Sequence, residues 1–463
     1  MLKYSFEKAS RKPLYEELYE ALKGDILSGR LQAGQKLPSK RQMAEDNDIS
    51  ITTVLNAYQQ LITEGYISSS EKRGYFVEEI QQIEPVPESP HTFVEKYYKE
   101  EDWFADFESN NFLYNRFPFA MWKKVIREIL SEYDLELVRR GNPFGLEELR
   151  TQIADFLYRS RGISVSPECV IIGAGVEYLY ARLVNLFPDE TIYAVETPGY
   201  RKIPDIYDAY DLRWQSVGMD AQGIRMHELF SSGANIVHVS PEHHYPLGTV
   251  MSVARRHQLL NWANSNEGRY IIEDDYDCEF RYQSKSIPAL KSRDRAGRVI
   301  YVNTFSKTLS PAVRISYMVL PEQLLQRYIE HTHFFTNSTS SLEQYAVARF
   351  LEKGYFERHL NRIRKQYRQK GEQLIHLLQE NKNIPIRSIR GGESGTHVTV
   401  SLDTNMSDRE LKERSAEKGV HLSCLSDFCT RPEPRYDHVM VLNFSDMEEE
   451  TQREAIRRLG DIF

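Results

Sequence analysis

The sequence predicts an α/β protein in two parts. A small winged helix-turn-helix precedes a larger domain built on a mainly parallel sheet, with a small α+β subdomain at the C-terminal end. Within residues 1–80, three helical patterns are followed by two short strands. From residue 145 onward, short apolar strands alternate with helices, as in a parallel sheet with crossover helices. Because 463 residues exceed the roughly 100 to 200 of one domain, at least two domains are expected.

The composition argues against several other classes of protein. A net charge of −8 gives no overall attraction to nucleic acid, so such binding has to come from a local basic surface. The four cysteines lack the spacing of a zinc site or a disulfide framework. No apolar run reaches the roughly 18 residues that a membrane span requires. These observations predict a cytoplasmic protein without a metal site or a membrane anchor.

The N-terminal pattern begins with an amphipathic helix that stops at Gly29, since glycine suits a left-handed C-terminal cap. Ser39 is placed to cap a short second helix, and Ser50 to cap a third. Two strands then flank residues 71–74, which form a hairpin with a basic tip. This order of elements is that of a winged helix-turn-helix.

In such a fold one helix enters the major groove, and the wing reaches phosphates or the minor groove. The residues predicted to contact DNA lie at two helix starts and at the hairpin tip; they are Ser39, Lys40, Arg41, Ser50, Thr52, Thr53, Asn56, Lys72 and Arg73. A small helical interaction domain is the alternative, because residues 1–80 hold 11 Lys or Arg against 12 Asp or Glu. The placement of the basic residues on the expected DNA face favours the first interpretation.

Periodicity is lost over residues 81–102, where three prolines exclude a helix. We predict a semi-extended linker there, between a DNA-binding domain of residues 1–80 and an effector domain of residues 103–463. Beyond Ser340 the pattern predicts one long charged helix through Gln379, followed by strands. This tail is interpreted as the smaller subdomain.

A polar turn follows the predicted buried strand at residues 299–302, and Lys307 lies in it. Ligands bind past the carboxyl ends of strands in open α/β sheets, so a lysine there can form a Schiff base. Ser306 adds a hydroxyl donor, and Arg314 is a fixed positive charge for a phosphate. A lysine in a loop is more often a solvated surface residue, so other segments of the sequence are needed to distinguish cofactor attachment from that alternative.

An acidic cluster ends the predicted strand at residues 270–273. Asp274 and Tyr276 belong to it, and a carboxylate beside a pyridine nitrogen keeps that nitrogen protonated. The alternative is a solvated strand end or a metal site, since acidic clusters are often one of these.

A glycine turn, Gly173-Ala-Gly175, lies between another predicted strand and a helix. The backbone amides at the start of that helix can approach an anion such as a phosphate. A plain strand-to-helix turn is the alternative, since a short Gly-x-Gly is weak evidence alone.

Taken together and in this order, these residues resemble the fold-type I aminotransferases, which carry pyridoxal 5'-phosphate (PLP). Matching segments also include Glu196-Thr-Pro-Gly-Tyr200 and the motif at residues 241–248. The resemblance implies that Lys307 is the Schiff-base lysine, that Asp274 pairs with the ring nitrogen, and that Tyr276 contacts the ring hydroxyl. It also implies that Tyr200 stacks on the ring and that the phosphate is held by Gly175, Val176, Glu177, Ser306 and Arg314.

The N-terminal part resembles the GntR family of regulators, as in Leu37-Pro-Ser-Lys-Arg41 and Arg73-Gly-Tyr-Phe-Val77. A winged helix joined by a linker to a fold-type I PLP domain resembles the MocR/GabR branch of that family over almost the whole chain. Ile51 and Leu55 depart from the pattern, since many relatives have polar side chains there. The departure implies fewer direct base or phosphate contacts from this helix.

The resemblance implies a PLP-dependent transcriptional regulator. It would act as a homodimer that binds double-stranded operator DNA and senses PLP or a small amine or amino acid. The alternative is an active aminotransferase with an appended DNA-binding domain, because the residues needed for exchange with an amine are all present.

The residues expected to recognise a ligand carboxylate differ from the family pattern. In the gamma-aminobutyrate-responsive relatives an arginine lies two places after the Tyr200 equivalent, and Lys202 here lacks its bidentate fork. A second arginine is expected before the last strand, where Arg435 is the best candidate. His243 and His244 lie where relatives have a His-Gln pair; His244 is either a neutral donor or, as favoured, a packed ring. These departures predict another effector or sensing of PLP itself.

Overall fold

The computed structural model describes residues 2–4, 6, 12–80, 102–109, 117–282 and 287–463. The chain divides into two compact units, Met1–Glu100 and Glu101–Phe463. The predicted linker at residues 81–102 lies outside the described residues except for Asp102, so its extent stays a prediction. Among the described helices, none is both long and apolar enough to cross a membrane.

The N-terminal unit consists of three helices and an antiparallel hairpin. Its elements are α1 (Leu14–Leu27), α2 (Lys40–Asn47), α3 (Ile51–Thr63), β1 (Ile67–Ser70) and β2 (Gly74–Val77). Apolar side chains at helical spacing on α1 and α3 form one core, in which Leu18, Leu22, Val54, Tyr58 and Leu61 are 0% exposed. The predicted winged helix-turn-helix is confirmed.

Both predicted serine caps are present. The amide of Gln42 donates to Ser39 Oγ at 3.2 Å, and the amide of Thr53 donates to Ser50 Oγ at 3.0 Å. Each cap satisfies a backbone amide that has no partner within its helix. The hydroxyls thereby set where α2 and α3 begin.

The larger unit begins with a short strand and helices that flank its central sheet. These elements are β3 (Ala105–Asp106), α4 (Phe119–Glu132), α5 (Asp134–Leu137) and α6 (Glu147–Arg161). The alternating part of the fold follows as β4 (Val170–Gly173), α7 (Val176–Val184), β5 (Ile192–Thr197), α8 (Lys202–Ala209), β6 (Arg213–Asp220), β7 (Gly223–Ile224), α9 (Met226–Ser231), β8 (Ile236–Val239), α10 (Val253–Asn264), β9 (Tyr270–Asp274), β10 (Val299–Thr304) and β11 (Ser316–Val319).

Eight strands form the central sheet in the order β4-β11-β10-β9-β8-β5-β6-β7. Strands β10, β9, β8, β5 and β6 run parallel, whereas β11 is antiparallel to both of its neighbours and β7 is antiparallel to β6. Strands β4, β8, β10 and β11 are buried along their whole length, as expected of a sheet covered on both faces. The predicted mainly parallel sheet is confirmed.

The C-terminal part contains helices and a second, antiparallel sheet. Its elements are α11 (Glu322–Thr332), α12 (Ser341–Glu352), α13 (Tyr355–Glu380), β12 (Ile386–Gly391), β13 (His397–Leu402), α14 (Asp408–Glu417), β14 (Val420–His421), β15 (Ser423–Cys424), β16 (Val439–Asn443) and α15 (Glu449–Gly460). Four strands pair in the order β12-β13-β16-β15, while β14 pairs with β3. This part is the predicted α+β subdomain.

Two expectations about the larger unit were wrong in detail. The single long helix beyond Ser340 is two helices, α12 and α13, because Gly354 adopts a left-handed φ of 64° between them. Strand β6 was not expected. Its first four residues alternate between exposed and half-buried positions, so the apolar pattern of that stretch is weak.

Strand register brings the polar strand ends to one edge of the sheet. Val302 of β10 pairs with Asp274 of β9, and Ser316 of β11 pairs with both Thr304 and Gly173. Neighbouring strands lie about 4.8 Å apart. The turn after β10, the acidic end of β9 and the glycine turn after β4 therefore meet at one place.

Candidate cofactor site and nucleic-acid interface

Lys307 lies in the tight turn that follows β10. The amide of Ser306 donates to Thr304 Oγ1 at 3.1 Å, which shapes the turn just before the lysine. Lys307 and Thr304 line a cavity of about 350 Å³. Burial lowers the pKa of Lys307 to about 8, although the Asp277 carboxylate opposes this shift. An amine with that pKa is partly uncharged near neutral pH and can act as a nucleophile.

Aromatic, acidic and small side chains form the rest of the cavity wall, which consists of Glu108, Val176, Val195, Glu196, Gly199, Tyr200, Ile203, His238, Ser240, His244, Tyr245, Asp274 and Tyr276. The structure thus brings Lys307 together with Tyr200, Asp274 and Tyr276, as predicted. Among these described wall residues no arginine occurs, and Lys307 is the single lysine. These wall residues therefore include three carboxyl groups and one lysine.

Asp274 is held from behind by two aromatic side chains. The hydroxyl of Tyr180 donates to Asp274 Oδ2 at 2.9 Å, and His238 Nε2 lies 3.5 Å from the same oxygen. Burial raises the pKa of Tyr180 well above its usual value, and Asp274 adds to that shift, so this hydroxyl stays protonated. The carboxylate is thereby oriented at the cavity wall.

Tyr276 lies beside His243. His243 Nδ1 is 2.7 Å from Asp277 Oδ2 and 3.4 Å from the hydroxyl of Tyr276. Burial alone would lower the pKa of His243, but the Asp277 carboxylate raises it above its usual value. His244 lies in the cavity wall instead, where burial and the neighbouring His243 lower its pKa to about 3. His244 is therefore a neutral ring in the wall.

The predicted phosphate cradle lies at the start of α7. Gly175 has a φ of 95°, in the left-handed region that favours glycine, and a Cβ there would clash with the guanidinium of Arg314. Arg314 Nη2 lies 3.2 Å from Glu177 Oε2, so the structure brings the predicted cation to the predicted amides. A helix N-terminus with an adjacent arginine is an arrangement that holds anions.

The two candidates for gripping a ligand carboxylate lie elsewhere. Lys202 Nζ pairs with Glu177 Oε1 at 2.5 Å and is not among the wall residues of the Lys307 cavity. Arg435 lines a different cavity, donates to the carbonyl of Met219 at 3.0 Å and pairs with Glu433. Neither cation is therefore among the wall residues of the Lys307 cavity. Besides burial, the positive charge of Lys202 also lowers the pKa of Lys307. A role for Lys202 or Arg435 in binding a ligand carboxylate stays a prediction.

The predicted DNA-contacting side chains lie on the outside of the N-terminal unit. Exposed members of the set are Ser39, Arg41, Ser50, Thr52, Asn56, Lys72 and Arg73, whereas Lys40 and Thr53 are half-buried. Ile51 and Leu55 on α3 are also exposed, at 50% and 36%. Helix α3 thus presents apolar as well as polar side chains to solvent.

Two families match the chain. "Bacterial regulatory proteins, gntR family" matches residues 14–77, and "Aminotransferase class I and II" matches residues 104–459. A Bacillus subtilis (strain 168) protein named "Uncharacterized HTH-type transcriptional regulator YdeL" is 38% identical over 96% of each chain. "Probable rhizopine catabolism regulatory protein MocR" of Rhizobium meliloti is 28% identical over 97% of this chain and 94% of its own. The chain belongs to the MocR/GabR subfamily of GntR regulators.

Solved aminotransferases share the fold of this MocR/GabR-type effector domain. The kynurenine aminotransferase of Pyrococcus horikoshii, solved in complex with PMP, has a TM-score of 0.70 at 24% identity and covers 82% of this chain and 95% of its own. The multiple substrate aminotransferase of Thermococcus profundus has a TM-score of 0.69 at 26% identity, with the same coverage. The predicted fold-type I architecture is confirmed.

Several residues that line the cavity or support Asp274 were not singled out from the sequence. They are the wall residues Glu108, Glu196, His238 and Tyr245 and the Asp274 partner Tyr180. His238 carried a usable signal, because a histidine within a four-residue strand that is otherwise valine and isoleucine has to find a polar partner. Tyr180 carried none, since its helix face alone does not reveal which strand it packs on.

Proposed function

We propose that this regulator binds PLP through Lys307 and that its DNA affinity responds to events at that lysine. The observation that carries the proposal is that three features lie close together at one edge of the central sheet. The three features are a buried lysine with a lowered pKa, an oriented carboxylate at Asp274 and an anion cradle at Gly175. The other unit of the same chain is a winged helix-turn-helix.

The side chains around the cavity fit PLP. Asp274 would face the ring nitrogen, Tyr276 the ring hydroxyl, and Arg314 with the amides of α7 the phosphate. When bound, PLP supplies an electron sink for chemistry at an amine. Tyr180 keeps the Asp274 carboxylate in place, and Lys307 supplies the amine that links to the cofactor.

The effector we favour is PLP itself, with a small amine as the second candidate. A ligand carboxylate would find poor partners, because Lys202 is paired with Glu177 and Arg435 lines another cavity. The described wall instead contributes Glu196, whose buried side chain accepts from the amide of Ser240 at 3.0 Å. Burial raises the pKa of Glu196 to about 8, so this carboxyl can gain a charge when a cationic amine binds.

The winged helix-turn-helix would bind operator DNA. Lys72 and Arg73 at the hairpin tip are exposed and suited to phosphates, while Thr52 and Asn56 on α3 are suited to base edges. An effector changes DNA affinity only if it binds two conformations unequally. We infer that occupancy of Lys307 favours one closure of the small α+β subdomain.

We propose that the protein is a homodimer, because the larger unit has exposed apolar side chains that an interface could bury. Leu135, Val138 and Phe334 are 61%, 82% and 62% exposed. Exposed apolar side chains of this size are candidates for burial at an interface. Sedimentation equilibrium of the full chain tests this proposal, and a monomer at micromolar concentration would contradict it.

The relatives favour regulation over catalytic turnover. Regulators such as YdeL and MocR match along nearly the whole chain, whereas aromatic-amino-acid aminotransferase 1 of Thermococcus litoralis matches 74% of it. The deciding experiment adds PLP, amines and amino acids to apo and PLP-loaded protein while absorbance and affinity for DNA upstream of its own gene are followed together. We expect PLP to change the DNA affinity. Repeated conversion of an amino acid and a 2-oxo acid, with no change in DNA affinity, would favour the enzyme instead.

A further inference from the structure

Glu177 lies between two cations at the start of α7. Its Oε2 is 3.2 Å from Arg314 Nη2, and its Oε1 is 2.5 Å from Lys202 Nζ. The side chain of Glu177 is 33% exposed, and those of Arg314 and Lys202 are about half exposed. Two oxygens of one carboxylate therefore bridge the cradle arginine and the first residue of α8.

The Glu177 carboxylate also lies directly over the glycine turn. A Cβ on Gly175 would come 2.8 Å from Glu177 Oε2 and would meet the Arg314 guanidinium as well. The carboxylate is therefore at the place where amides at the start of a helix attract an anion. A phosphate held by the same amides and by Arg314 would need that place.

Glu177 carries its charge at neutral pH. Burial by itself would raise the pKa of Glu177, but the hydrogen bond from Lys202 and the charges of Lys202 and Arg314 lower it below its usual value. A phosphate that enters the cradle thus meets a negative charge already bound there. Removal or reorientation of that carboxylate has to accompany phosphate binding, because like charges at contact distance repel.

We propose that the Glu177 carboxylate occupies the anion site that the phosphate of PLP uses, and that Lys202 draws this carboxylate aside when the phosphate binds. This inference rests on the proposed function of the cavity as a PLP site. As a consequence, the affinity of the cradle for the phosphate is lower than it would be without Glu177. The fraction of protein that carries PLP then follows the PLP concentration. Lys202 is then a positioning residue for cofactor binding and not a grip for a ligand carboxylate.

An ordinary surface ion pair is the alternative explanation. Exposed pairs of this kind contribute little to stability. The two explanations differ for a phosphorylated ligand. Neutralising a carboxylate that occupies the anion site makes phosphate binding markedly stronger, whereas neutralising a solvent-screened surface pair changes it little. Pyridoxal, which has the same ring and aldehyde without the phosphate, serves as the internal reference.

The test measures dissociation constants of PLP, pyridoxal and inorganic phosphate for the full-length apo protein. Glu177→Gln keeps the shape of the side chain and removes its charge; we expect about tenfold tighter binding of PLP and of phosphate, with pyridoxal unchanged. Lys202→Met should weaken PLP binding about tenfold. The same Lys202→Met change in the Glu177→Gln background should have a smaller effect, because the two residues act through one another.

Glu410→Gln is the matched control, since Glu410 pairs with Arg414 on the surface of α14, outside the cavity. It should leave all three constants unchanged. Unchanged or weaker PLP binding by Glu177→Gln, in a variant whose thermal unfolding matches the wild type, overturns the inference. If the wild type itself gives no Lys307-dependent absorbance with PLP, the proposed function fails instead, and the phosphate measurement still reports on Glu177.

Discussion

The hydroxyl of Tyr180 donates a 2.9 Å hydrogen bond to Oδ2 of Asp274, although 94 residues separate the two along the chain. The same oxygen lies 3.5 Å from His238 Nε2, and His238 Nδ1 lies 3.1 Å from the hydroxyl of Tyr207. Asp274 is thus the outermost member of a buried polar chain. A carboxylate held in this way keeps its position whether or not a ligand lies in front of it.

Tyr180→Phe is expected to weaken PLP binding about tenfold, because a hydrogen bond to a charged group is worth roughly 1.5–3 kcal/mol. The measurement is a PLP titration followed by absorbance. Tyr193→Phe is the matched control, since Tyr193 is also buried and its hydroxyl has no partner in the described part of the chain. Equal effects of the two substitutions would contradict a specific role for Tyr180.

Lys307→Ala is expected to abolish the visible absorbance of the lysine-linked cofactor, because no other lysine lines the described cavity wall. Spectra of purified protein with added PLP provide the measurement, followed by borohydride reduction and peptide mapping. Lys353→Ala is the control, as Lys353 pairs with Glu128 at the surface. A spectrum that survives the Lys307 change would reject this assignment.

The rate of PLP capture should rise with pH, with a midpoint at about pH 8. Burial lowers the pKa of Lys307 to that value, and only the uncharged amine attacks an aldehyde. In the unfolded chain the pKa of Lys307 keeps its ordinary value of 10.5, so the unfolded chain binds more protons than the folded chain between about pH 8 and 10.5. The contribution of Lys307 to the free energy of unfolding therefore increases as pH rises through that window. Stopped-flow capture rates from pH 6.5 to 9 test the midpoint, with butylamine as reference. A capture rate whose midpoint coincides with the pKa of butylamine would contradict this prediction.

Replacing Lys72 and Arg73 together by alanine should weaken binding to all DNA sequences alike. Each lost phosphate contact flattens the dependence of affinity on salt by about one unit of slope, so the pair accounts for up to about two. Asn56→Ala should instead change sequence preference, by roughly 1–3 kcal/mol for one base contact. Anisotropy titrations at several salt concentrations, with operator and scrambled DNA, separate the two effects. Loss of sequence preference in the hairpin variant would contradict this division.

Two leucines of α3 should behave in opposite ways. Leu61 is 0% exposed in the N-terminal core, so Leu61→Ala should destabilise that unit by roughly 2–5 kcal/mol. Leu55 is 36% exposed, so Leu55→Ala should change stability by less than about 0.5 kcal/mol and act on DNA affinity instead. Urea unfolding and DNA titration of both variants test the contrast; a large loss of stability in Leu55→Ala would contradict it.

Local pattern was enough for the features that depend on neighbouring residues. The caps at Ser39 and Ser50 form within three residues of the helix starts, so sequence alone predicts them. The buried strand before Lys307 and the glycine turn at Gly175 are likewise local. Because parallel strands expose their carboxyl ends at one edge, these observations together predicted where a ligand site lies.

Tertiary structure decided which side chains meet. Sequence offered Lys202 and Arg435 only as candidates for binding a ligand carboxylate. In the structure Lys202 pairs with Glu177 across 25 residues, and Arg435 donates to the carbonyl of Met219 across 216. It also gave no sign that Tyr180 supports Asp274. Such pairings depend on how each helix packs and rotates on the sheet, which is determined by the whole core, whereas caps and strand patterns depend on a few adjacent residues.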